Sequence, residues 1–167
     1  LKHAMQQALY SESKLVAVRY PRGAQRAIPE SIKPTFADFD VFGDENAEKA
    51  IITYGRTFSA CAFAYEKLVN SGESVKLIKL NRIIPVCEGA VEAAKNCRDV
   101  YFFEEGIRRG GAGEGFLFDL SKAGFSGKYH LRAIENGFVK QASVESLLHK
   151  YGFDEEGVLS FVTSAED

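Results

Sequence analysis

The residue types able to do chemistry concentrate at a few points of the chain. Arg19-Tyr20-Pro21-Arg22-Gly23 places two arginines around a turn that proline fixes and Gly23 allows to bend tightly. A guanidinium held still in that way presents a planar fork suited to bidentate binding of a phosphate. Arginine so placed orients a substrate and does not itself make or break bonds. Two ordinary surface charges weigh about equally as an explanation.

Gly110-Gly111-Ala112-Gly113-Glu114-Gly115 is a glycine-rich turn opening a helix, the place where backbone N–H groups can cradle an anion. Its spacing fits neither GxGxxG nor GxxxxGK followed by Ser or Thr, so a tight strand-to-helix connection with close backbone packing is the favoured explanation. Glu104-Glu105 follows a predicted strand at the sheet edge where open α/β folds place their sites. Neighbouring strand residues point to opposite faces, which argues against a shared-proton pair and for a glutamate that caps a helix or holds a loop. Arg108-Arg109, just before the glycines, is a candidate anion site against the commoner solvated face. His3, His130 and His149 are scattered, without ligand or catalytic spacing. No residue of this chain is assigned as catalytic, cofactor-binding or metal-ligating.

Elements that would position these residues follow from periodicity. Residues 1–11 have helical spacing, and residues 15–18 form an apolar run that stops as a strand near Arg19 or Tyr20 because Pro21 follows. Between 24 and 48 the pattern dissolves into a linker ending in a short edge strand over 39–42. Strands are then expected at 50–54, 75–80, 100–103 and 129–134, and helices at 58–70, 88–96, 113–123, 144–151 and 154–163. This alternation predicts a three-layer α/β/α fold with a mostly parallel, mixed sheet of about five strands. The predicted organisation is residues 1–23 as the helix-and-strand tail of a preceding domain, 24–48 as linker and 49–167 as the main domain.

Composition excludes several classes. Lysine and arginine number 21 against 23 aspartate and glutamate, a formal charge of -2, with no basic run that would track a nucleic acid backbone. No apolar stretch approaches the roughly 20 residues of a membrane span, and the first ten residues are too polar for a signal peptide. Nucleic acid and membrane are therefore not expected partners, and a cytoplasmic location is expected. Cys61, Cys87 and Cys97 lack CxxC spacing and are expected as reduced thiols. A helical pattern starting at once at Leu1, without methionine, suggests chain upstream of it.

Several of these runs resemble one family. Val16-Ala17-Val18-Arg19-Tyr20-Pro21-Arg22-Gly23 is similar to the element that closes the pyrimidine-binding domain of 1-deoxy-D-xylulose-5-phosphate synthases, thiamine-diphosphate enzymes of the transketolase superfamily. Ile51-Ile52-Thr53-Tyr54-Gly55 resembles the first strand of the transketolase C-terminal domain. Leu80-Asn81-Arg82-Ile83-Ile84-Pro85, the Glu104-Glu105 pair with its glycines, and Tyr151-Gly152-Phe153-Asp154-Glu155-Glu156-Gly157 resemble later elements of the same domain, in the same order. Ile84 stands where the family has lysine, and Ala133-Ile134-Glu135-Asn136-Gly137 departs from the family's Phe-Ile-x-His/Pro-Gly.

The resemblance implies a transferase that condenses pyruvate, after decarboxylation, with glyceraldehyde 3-phosphate, for isoprenoid precursor and thiamine biosynthesis. It implies a homodimer using thiamine diphosphate and magnesium. The matching position for the acceptor phosphate is Arg22, with Arg19 second. The magnesium-diphosphate segment and the activating glutamate are not in this sequence, so the chain alone is expected to bind no cofactor and to be inactive. Two alternatives stand beside this. One is a non-catalytic scaffold or anion-binding module with the glycine turn and Arg108-Arg109 as its edge; the other is the corresponding domain of a transketolase or a 2-oxoacid dehydrogenase β subunit.

Overall fold

A computed structural model describes residues 1–11, 15–21, 24–35, 37–135 and 137–164. Apolar runs rich in branched and aromatic side chains form five strands: β1 (Phe39–Phe42), β2 (Lys49–Thr53), β3 (Val75–Leu80), β4 (Asp99–Ile107) and β5 (Lys128–Ile134). They form one sheet in the order β1-β3-β2-β4-β5, parallel except for β1, which pairs antiparallel with β3 at the edge. Six helices accompany them among the described residues: α1 (Lys2–Tyr10), α2 (Thr57–Asn70), α3 (Glu88–Ala94), α4 (Ala112–Lys122), α5 (Val144–Tyr151) and α6 (Glu155–Ser164).

Both faces of the sheet are covered, giving the three expected layers. On one face Ile51, Leu77, Tyr101 and Phe103 pack against Phe58, Cys61 and Leu68 of α2, Leu148 of α5 and Val158 and Val162 of α6. On the other, Ala50, Ile52, Ile78, Val100 and Phe102 meet Ala90 and Val91 of α3 and Phe116 and Leu120 of α4. Because β2 and β4 are buried on both sides, they read as continuous apolar runs rather than alternating ones. The helix ends follow local chemistry. Ser143 caps α5 by accepting a hydrogen bond from the Ser146 N–H at 3.2 Å, and Gly152 ends it with φ 70°.

Two sequence expectations change. Residues 15–20 are not in a strand, because an extended apolar run becomes one only where a neighbouring edge pairs with it, and none does among the described residues. β4 runs on to Ile107, so Glu104 and Glu105 lie within the strand rather than after it. The 24–48 stretch is tied to the sheet: Ile32 is buried in the α2 core, Ser59 donates to the Ala27 carbonyl at 2.5 Å, and β1 is a full member of the sheet. Helix α1, by contrast, buries no residue.

Candidate functional site

In this strand order the chain leaves β2 toward β3 on one side and returns to β4 on the other. The topological switch point therefore lies between the carboxyl ends of β2 and β4, where open α/β sheets form their crevice. Tyr54, Gly55 and Arg56 line one side and Glu104 and Glu105 the other.

Glu104 is the centre of this edge. It projects onto the α3–α4 face and is only 1% exposed. Its carboxylate accepts from the Tyr54 hydroxyl at 3.0 Å, from the Ala112 N–H at 3.0 Å and from the Gly113 N–H at 3.1 Å. An anion at a helix N-terminus is favoured both by the unpaired amides and by the helix dipole. Here the chain supplies that anion itself, so these amides are not open to a ligand phosphate. The glycines are needed for the close approach: a Cβ on Gly113 would come within 2.5 Å of Leu131, and one on Gly111 would collide with the Glu104 carboxylate and the Ile107 carbonyl. The Gly110 N–H is likewise taken, by Glu114 at 2.8 Å.

Burial and the charge and hydrogen bond of Glu104 push the Tyr54 hydroxyl far above its ordinary range, against an opposing pull from Arg19. Tyr129, which donates to the Gly113 carbonyl at 2.7 Å, is pushed up by burial and then by Glu104. Both phenols stay protonated as fixed donors. Glu105 points to the other face, exposed, with its carboxylate 3.7 Å from Arg56 Nε. The two glutamates thus serve separate neighbourhoods, as strand alternation requires.

The arginines sort differently. Arg19 is exposed, and its charge opposes the rise at Tyr54. Arg22 and Gly23 lie outside the described residues. Arg108 and Arg109 do not act as a pair: Arg108 is held by Glu135 at 2.7 Å and the Leu131 carbonyl at 2.9 Å, while Arg109 is exposed. His130 bonds Asp99 at 3.1 Å and stacks on Tyr101, and His149 bonds Asp154 at 2.6 Å; neither faces the crevice residues. Burial drives the Cys61 thiol up to about 12, which makes it an inert core side chain.

Sequence reasoning missed Arg132 and Lys150, which line a cavity of about 580 Å³ beyond the end of β5. The available signal was parity. Arg132 shares the face of His130 and Ile134, toward α6, where an apolar residue is expected.

The family model for the transketolase C-terminal domain matches residues 43–158, most of the chain. The chain belongs to the transketolase C-terminal domain family. The 1-deoxy-D-xylulose-5-phosphate synthase of Geobacillus thermodenitrificans is 28% identical over 160 residues, covering 90% of this chain and 25% of that protein. That of Bacteroides fragilis is 27% identical over 169 residues, covering 98% of this chain and 26% of that protein. The chain thus spans about a quarter of the length of these curated relatives. Among solved structures, a chain described as split gene transketolase, inactive beta4 tetramer, superposes with a TM-score of 0.69 at 20% identity, over 83% of this chain and 46% of that one. This likeness concerns the fold.

Such relatives imply a thiamine-diphosphate-dependent family. Magnesium takes a near-octahedral set of oxygens, whereas no group of three His, Cys, Asp or Glu side chains converges among the described residues. The buried carboxylate of the switch point is already engaged by three donors. Nor is any helix of the described residues long and apolar enough to cross a membrane.

Proposed function

We propose that this chain is the C-terminal part of a 1-deoxy-D-xylulose-5-phosphate synthase. In the whole enzyme, thiamine diphosphate and magnesium are held by other domains and pyruvate is condensed with glyceraldehyde 3-phosphate in a cytoplasmic homodimer. The observation that carries this reading is the reach of the similarity. The family model begins at residue 43, yet relatives named as this synthase match up to 98% of the chain, across Arg19-Tyr20-Pro21-Arg22-Gly23. In this reading the domain's part in the chemistry is positional. The Glu104 network fixes the carboxyl edge, and Arg22, or failing that Arg19, holds the acceptor phosphate.

The test uses this chain joined to, or mixed with, the thiamine-binding domains. A bidentate charged contact is worth roughly 1.5–3 kcal/mol, so Arg22→Ala lowers kcat/KM for glyceraldehyde 3-phosphate by about ten- to a hundredfold. Arg22→Lys keeps the charge and loses the fork. Neither change affects unphosphorylated glyceraldehyde. Equal loss with both acceptors makes Arg22 structural and moves the role to Arg19; absence of any condensation product from the wild type removes the synthase reading.

A second reading, a non-catalytic module, is favoured by one observation. One solved structure that shares this fold, at 20% identity, is described as split gene transketolase, inactive beta4 tetramer. Taken alone, the present chain is then inactive and binds no thiamine diphosphate. Calorimetry with cofactor and magnesium checks this, and saturable binding in the micromolar range contradicts both readings.

A further inference from the structure

The cavity beyond β5 is walled by the end of that strand, the following loop, the last turn of α5 and α6. Its volume, about 580 Å³, is that of a small-molecule site. Arg132 is among the residues that line it. The guanidinium lies over the Phe161 ring at 4.2 Å and is packed against Gly152, where a Cβ would come within 2.9 Å of Nη1. Stacked on one side and walled on the other, it is held in place with little left to lose in entropy.

That cation is not neutralised. Arg132 has no ion pair among the described residues, and its Nε is buried without a hydrogen-bond partner. Burial and then the nearby Arg108 charge lower its pKa, the sign of a cation placed against its own electrostatic interest. Lys150, from the end of α5, lines the same cavity with its ammonium 5.5 Å from the Tyr151 ring. Of the lining residues only Glu135 is acidic, and its carboxylate is bound to Arg108. Three cations against one carboxylate leave the cavity with two positive charges in excess. The remaining wall is apolar and includes Phe138, which is fully exposed beside the opening. Like charges brought together around a partly buried space are relieved by an anion bound between them.

We propose that this cavity is a binding site for a phosphate-type dianion carried on a small apolar or aromatic group, with Arg132 and Lys150 holding the anion and Phe138, Val139 and Tyr151 covering the apolar part. The site lies beyond β5, away from the switch point between β2 and β4, and does not depend on the synthase reading. Arg108 closes one side while remaining tied to Glu135.

The test titrates the 167-residue chain with phenyl phosphate and with inorganic phosphate at low salt, followed by calorimetry. Phenyl phosphate is expected to bind more tightly than about 1 mM, and inorganic phosphate several-fold more weakly. Lys150→Gln, on an exposed helix end, leaves packing intact and weakens phenyl phosphate about tenfold. Arg132→Gln weakens it more, provided its melting curve remains cooperative. No saturation by either probe, or equal binding by wild type and Lys150→Gln, overturns the site; equal affinity for the two probes overturns its apolar half.

Discussion

Replacing Glu104 by glutamine tests whether the carboxyl edge is organised by one buried carboxylate. One carboxylate oxygen, Oε2, accepts from both Tyr54 and Ala112, and the other, Oε1, accepts from Gly113. Glutamine keeps one acceptor oxygen. Placed at the Oε2 position it retains two bonds, but its NH2 then faces the Gly113 N–H, two donors opposed where 3.1 Å formerly separated donor from acceptor. The cost combines one lost charge-assisted bond, about 1.5–3 kcal/mol, with a buried unsatisfied donor, about 1–3 kcal/mol. Part of this overlaps, so about 3 kcal/mol is expected, or roughly 6–12 °C in Tm for a chain of this size. Urea unfolding followed by circular dichroism measures it. Glu105→Gln, on the other strand face with a 3.7 Å contact to Arg56, is the matched control and should cost under about 0.5 kcal/mol. Tyr54→Phe removes a single donor and should cost about 1 kcal/mol. Similar losses for Glu104→Gln and Glu105→Gln would refute the reasoning, since burial and bonding would then not distinguish the two.

Three further outcomes follow from the same geometry. Gly113→Ala should destabilise by about 1–3 kcal/mol through its clash with Leu131, while Gly115→Ala, two residues on in α4 with open space around it, should stabilise by up to about 1 kcal/mol; thermal melts of the pair give the signs. Burial acts to raise the pKa of Asp40, but hydrogen bonds from Thr35 and Asn81 and the Lys79 charge outweigh it and hold the carboxyl below its ordinary value. Its contribution is therefore present at neutral pH and lost as pH falls below about 4. Asp40→Asn should cost stability in denaturant melts at pH 7 and little at pH 2. Removing residues 1–23 should leave melting nearly unchanged, because α1 buries nothing. Removing 1–43 strips β1 and Ile32 from the core and should cost roughly 3–6 kcal/mol, seen as a lowered Tm.

The sequence alone determined the layered α/β architecture, because strand and helix periods alternate and turn residues punctuate them. It located α5 at Val144–Tyr151 to the residue, where a serine cap and a closing glycine are local signals. It also separated Glu104 from Glu105, since side-chain alternation along a strand is a local rule. Tertiary structure decided what local rules do not contain. The run at 15–18 has strand composition, yet pairing requires a neighbour's edge, and none is offered to it among the described residues. The glycine turn has the composition of an anion cradle, and only the fold shows its amides filled by Glu104, eight and nine residues earlier. Arg132 and Lys150 are 18 residues apart in sequence and become neighbours only because α5 and α6 pack back beside β5. A pattern along the chain fixes which way a side chain faces; which other side chain it meets is set by the packing of distant elements.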